Sequence, residues 1–170
     1  MSSGLSAGQP GRATMFTEDR DELLARLRAA VGDDVARLPG LDVVGDPAVK
    51  VASPDPRQAA ADLAARAGRP AYEAERAHLN AIGHGVRLDG YAIEFVGSAS
   101  GSAHDLVGGF LADHGPGVFA TTFRVRDVNE ARAALAAAGV RFTQWGRRSL
   151  LIRIETGPAT ADRIELTDEG

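Results

Sequence analysis

The sequence predicts an α+β fold of two β-α-β-β-β modules, preceded by an N-terminal helical extension. Three observations carry this. First, an alternating strand followed by a capped helix occurs twice: AVKVAS (48–53), Asp55-Pro56, RQAAADLAARA and a stop at Gly68; then VFATTFRV (118–125), Asp127, VNEARAALAAA and a stop at Gly139. Second, each module closes on a Glu between two large apolar residues, Ile93-Glu94-Phe95 and Ile164-Glu165-Leu166. Third, these features recur in register. Asp55 matches Asp127 at an offset of 72; after one residue is lost in the helix, Gly68 matches Gly139 and Glu94 matches Glu165 at 71.

Residues 1–15 are rich in Ser, Gly, Ala and Pro and read as a disordered tail. The helical extension, 16–45, starts from Thr17 as N-cap and an acidic first turn, and Leu24, Leu27 and Val31 form its apolar stripe. The first module spans 46–100. In it, residues 69–83 read as loop with one strand inside, and GVRLDGYAIEFVG reads as a hairpin turning at Asp89-Gly90. A Gly-rich linker, 101–117, carries a short helix near Asp105 to Ala112. The second module, 118–168, continues after its helix with strands VRFTQW, SLLIRIE and RIELT.

Composition narrows the function. The chain has 170 residues, 44% hydrophobic, with 19 basic residues against 23 acidic ones, a net charge of −4, and no cysteine. A slightly acidic chain gives no broad attraction to nucleic acid or membrane. The missing cysteines exclude disulfides, thiolate metal sites and a Cys nucleophile. The first residues, MSSGLSAGQPGRATM, lack an apolar signal-type core, and no run is long and apolar enough to span a bilayer, so a cytoplasmic protein is expected. No phosphate loop and no G-x-S-x-G elbow is present.

The run FRVRDVNEARAALAAAGVRF with its final IEL resembles the vicinal oxygen chelate superfamily, which holds glyoxalase I, bleomycin-resistance proteins, methylmalonyl-CoA epimerase and extradiol dioxygenases. The resemblance covers residues 46–168 and implies that the modules form one curved mixed sheet with a concave cavity for a ligand. In metal-dependent members each module offers a His or Gln seven residues before the helix-capping Asp, and a Glu on its last strand. Here those early positions are Ala48 and Ala120, while Glu94 and Glu165 match. The usual His ligands are therefore missing, and no cofactor is expected. If a divalent metal bound, Glu94, Glu165 and His84 would be its ligands, since His84 starts the strand beside that of Glu94; His78, His104 and His114 fall in loops or connectors.

Strand parity sets the cavity lining. Ile93, Phe95, Ile164 and Leu166 face the helices, so Glu94 and Glu165 face the concave side, together with Ala48, Lys50, Ala120, Thr122 and Arg124. Buried charges must pair, stay wet or meet a ligand. Two salt bridges closing a rudimentary cavity is one reading. In the other, Lys50 and Arg124 bind an acidic oxygen of a small molecule and Phe119 and Trp145 supply aromatic surface. If the two Glu side chains approach each other, mutual repulsion raises one pKa toward neutrality, which suits acid–base work. Four functions remain open. The first is a metal-independent binder of a drug, natural product or metabolite, of the bleomycin-resistance type. The second is an isomerase, lyase or cyclase of secondary metabolism using Glu94 and Glu165. The third is a divalent-metal enzyme, and the fourth a structural module whose hollow is a homodimer surface.

Overall fold

The computed structural model describes residues 19–79, 81–103, 105–155 and 161–169. The expected tail, the Thr17 cap and His104 lie outside them. Eight strands form one curved sheet: β1 Ala48–Ala52, β2 Ala71–Arg76, β3 Ala81–Arg87, β4 Ala92–Val96, β5 Gly117–Arg124, β6 Thr143–Gln144, β7 Ser149–Glu155 and β8 Ala161–Thr167. Their order is β2-β3-β4-β1-β5-β8-β7-β6. Within each half the first strand runs parallel to the last, β1 with β4 and β5 with β8, and the halves meet where β1 and β5 pair antiparallel. The duplication read from the sequence is thus a pseudo-two-fold between the two central strands.

Among the described residues the helices are α1 Arg20–Val31, α2 Asp33–Ala36, α3 Pro56–Ala67, α4 Leu106–His114 and α5 Val128–Ala137. Asp55 caps α3 by accepting from the Gln58 amide at 3.2 Å, and Asp127 caps α5 through Asn129 at 2.8 Å, as the repeat predicts. Helix α1 is capped by Asp19, which accepts from Glu22 N at 2.9 Å. Its buried stripe is Leu23, Leu27 and Val31, with Leu24 only partly covered.

One apolar core lies on the convex side. It joins that stripe to Val49, Val51, Ile93 and Phe95 of the first half and to Phe123, Val125, Ile164 and Leu166 of the second. A smaller cluster lies on the concave side, where Val107 of α4 packs with Ala52, Val96, Phe119 and Ala120. The α4 segment therefore fills one end of the hollow and leaves the other open.

Residues 69–83, read as mostly loop, contain the whole of β2, a short 3-10 turn at Ala77–Leu79 and the start of β3. AYEAER has no apolar alternation because it is an outer strand, half-exposed on one face and fully exposed on the other. Conversely, VRFTQW gives only the two paired residues of β6.

Candidate functional site

The site grows from strand alternation. Ile93 and Phe95 are driven to the helix side, so Glu94 must emerge on the concave side; Ile164 and Leu166 do the same to Glu165. Both glutamates are fully buried, at 0% exposure. Register then brings their partners. On β1, Lys50 lies beside Glu94 of β4, and on β5 the repeat-equivalent Thr122 lies beside Glu165 of β8.

Each acid has its own cation. Lys50 Nζ is 2.6 Å from Glu165 Oε1, which also accepts from Thr122 Oγ1 at 2.7 Å. Glu94 is held by a fork from Arg76, with Nε to Oε2 at 2.8 Å and Nη2 to Oε1 at 2.5 Å, and by Tyr72 Oη at 3.0 Å. Such bidentate guanidinium pairing fixes direction as well as charge. Two glycines on β3 make the room. A Cβ on Gly83 would stand 2.5 Å from Glu94 Oε2, and one on Gly85 would stand 2.6 Å from the Tyr72 ring.

These contacts decide the electrostatics. Burial by itself pushes both carboxyls up. For Glu94 the Arg76 hydrogen bonds and the Lys50 charge outweigh it, and for Glu165 the Lys50 charge and His78 do, so both sit below the usual range. The expected rise of one glutamate toward neutrality does not occur, because the acids face separate cations rather than each other. The Tyr72 phenol is pushed up by burial and by Glu94.

Around this pair is a hollow of about 450 Å³ lined by Ala48, Lys50, Tyr72, Arg76, His78, Thr122, Arg124 and Glu165, with Arg87 at its edge. A larger depression of about 800 Å³, around Pro54, Ile82 and Ser98, lies at the sheet edge. We place the site in the smaller one, since the buried charges converge there.

His78, set aside in the sequence as a connector residue, stands at the centre of the site. It comes from the 3-10 turn between β2 and β3, and its side chain is 6% exposed. Its Nε2 is 2.7 Å from Glu165 Oε2, but the two are not aligned for a hydrogen bond. Both ring nitrogens and Oε2 have no hydrogen-bond partner among the described residues. Trp145 meets the imidazole edge-on at 4.9 Å.

Of the residues expected to line the cavity, Ala48, Lys50, Thr122, Arg124 and Glu165 do so, and Glu94 lies just beneath, bonded to Tyr72 and Arg76. Ala120, Phe119 and Trp145 do not. A register shift pairs Lys50 with Ala120 but Val51 with Val118, so Phe119 is the extra residue of a bulge and shares Ala120's face, where α4 covers both. Trp145 reaches the hollow only through His78. His84 is on the wrong face for a ligand: it pairs across from Phe95, on the helix side, with Nδ1 3.7 Å from Glu73. Arg76, Tyr72 and His78 were missed because β2 and its turn gave no periodic signal. The usable sign was Gly83 and Gly85 alternating on one face of a strand, which marks a close approach from above.

The residues do not fit a divalent ion. The early positions are alanine, His84 points away, Arg76 and Tyr72 already engage Glu94, and a buried ammonium touches Glu165. No group of three or more His, Cys, Asp or Glu suited to a metal occurs among the described residues. Nor is any helix there long and apolar enough to cross a membrane.

No protein-family model and no curated protein matches the chain. Solved structures do. Methylmalonyl-CoA epimerase from Mycobacterium tuberculosis superposes with a TM-score of 0.60 at 18% identity, over 74% of this chain and 89% of that one. A Streptomyces coelicolor methylmalonyl-CoA epimerase variant in complex with 2-nitronate-propionyl-CoA gives 0.60 at 14% identity, over 75% and 100%. A hypothetical protein from Bacillus halodurans gives 0.58 at 10%, over 75% and 96%. The chain has the vicinal oxygen chelate fold that the sequence resembles, with a helix added in front.

Proposed function

We propose that this chain is a metal-independent binding protein for a small molecule, a drug, natural product or metabolite, taken up between Lys50, Arg76, His78 and Arg124. The observation that carries the reading is the pairing of both buried glutamates with cations of the same chain. A carboxylate held well below its usual range is a weak base at neutral pH but a firm hydrogen-bond acceptor. The hollow is of the size that small ligands use. The exposed Arg124 offers a cation to an acidic substituent of the ligand. The bound CoA derivative in the Streptomyces protein supports a small molecule as the ligand class. Action in the cytoplasm, a role in secondary metabolism and a homodimer belong to the same reading.

The test is native mass spectrometry of the purified protein mixed with a small-molecule extract of its host cells. The expected result is a 1:1 non-covalent adduct, released chemically unchanged, weakened at least tenfold in Arg124→Ala, with no divalent ion bound. A stoichiometric transition metal, chemical conversion of the captured compound, or no adduct at all would overturn the reading.

One observation favours an acid–base isomerase or lyase instead. The buried His78 ring holds its Nε2 2.7 Å from Oε2 of Glu165. In that reading His78 moves the proton and Glu165 orients it. His78→Ala would then remove turnover while leaving capture of the compound intact.

A further inference from the structure

We infer that Lys50 is a tethered cation occupying a site that Glu165 creates beside the two central strands, and that binding of a free cation there and the presence of this side chain are mutually exclusive. The inference is independent of whether the hollow binds or catalyses.

Duplication places an inward carboxylate on the last strand of each half, next to the two central strands. Two such acids beside one pseudo-two-fold axis give the sheet centre a charge of −2, which cannot be buried unpaired. Arg76 gives its hydrogen bonds to Glu94, from the edge strand of the first half. The strand order makes β6 the counterpart of β2, and β6 consists only of Thr143 and Gln144, both exposed, so it sends no cation to Glu165. The missing charge comes from the central strand instead. Lys50 is 2% exposed and projects from β1 across the axis to Glu165 in the other half. Its charge also acts on Glu94. The repeat-equivalent residue on β5 is Thr122, neutral and bonded to the same Glu165 oxygen, so the second half adds no cation of its own there.

Around Lys50 Nζ the structure has the surroundings of a small-cation site: Glu165 Oε1 at 2.6 Å with Thr122 Oγ1 on the same oxygen, and Oε2 with His78 Nε2 2.7 Å from it on the other side of the carboxylate. The ammonium fills it. Shortening residue 50 leaves an anionic hollow open to the cavity that Lys50 lines.

The test is thermal unfolding of the wild type and of Lys50→Ala, each with ammonium chloride, n-propylammonium chloride or manganese chloride, against sodium chloride at matched ionic strength. Lys50→Ala should unfold at lower temperature and regain at least half of the loss with n-propylammonium or manganese. The wild type should respond to none of them. Electron paramagnetic resonance should show bound manganese in Lys50→Ala and none in the wild type. Equal responses of the two proteins, stoichiometric manganese in the wild type, or no specific response of folded Lys50→Ala to any cation would overturn the inference. Should Lys50→Ala not fold unaided, recovery on adding a cation is the expected result. Failure with every cation, while the double variant Lys50→Met/Glu165→Gln folds, would equally overturn it. The ligand experiment proposed above can fail without affecting any of these outcomes.

Discussion

A carboxylate buried between strands is stable only if something replaces its water, and the two glutamates solve this differently. Glu94 is closed off, with a guanidinium fork and a phenol on its oxygens. Glu165 has Lys50 and Thr122 on one oxygen and the His78 ring 2.7 Å from the other. Both have folded-state pKa values below the unfolded 4.5, so each adds stability that is fully present above that value and lost as pH falls toward the folded one. The midpoint of urea unfolding should therefore drop as pH falls below the unfolded value of 4.5, and Glu165→Gln should flatten that slope. At pH 7 the same substitution leaves Lys50 buried without its anion, which should destabilise by about 3–5 kcal/mol. A slope unchanged in Glu165→Gln would show that folding does not lower the pKa of Glu165. The inward direction of both acids was legible in the sequence, because Ile93, Phe95, Ile164 and Leu166 fix strand parity. The same parity placed Lys50 and Thr122 on their face, but Arg76 and Tyr72 could not be read, since no local pattern says that β2 reaches past β3 to Glu94.

Among the elements, β3 shows how backbone choice shapes the site. Gly83 and Gly85 leave its concave face bare, and Glu94 and Tyr72 lie in the space. Gly83→Ala should push the carboxylate off Arg76 and lower stability by about 1–3 kcal/mol. Gly117→Ala is the matched control. Gly117 is also in a strand, an added Cβ there meets nothing within 4 Å, and its φ is not positive, so the change should be neutral or slightly stabilising. Equal losses in calorimetry would mean that the cost is a general one of replacing strand glycines. The capped helices α3 and α5 could be read directly from Asp55 and Asp127, because a cap is a local signal. The fate of α4 could not. Its helix was expected near Asp105 to Ala112, but that it folds into the concave face, over Phe119 and Ala120, depends on a bulge set by pairing between β1 and β5.

For the whole molecule, the question is what the apolar stripe of the N-terminal helix packs against. In the structure it packs on its own sheet: Leu23, Leu27 and Val31 belong to the same apolar cluster as Val49, Ile93, Phe123 and Ile164. A continuous core of this kind couples its parts, so α1 and the two halves should unfold together. Leu23 is 0% exposed, and Leu23→Ala should destabilise by about 2–5 kcal/mol through lost burial and the cavity left behind. The single Trp145, beside His78 on the concave side, reports the second half independently of helix content. In Leu23→Ala, tryptophan fluorescence and far-ultraviolet circular dichroism should move to one shared, lower midpoint in urea. If ellipticity fell first and the Trp145 transition stayed at its wild-type position, α1 would be an appendage, and the fold would be complete without it.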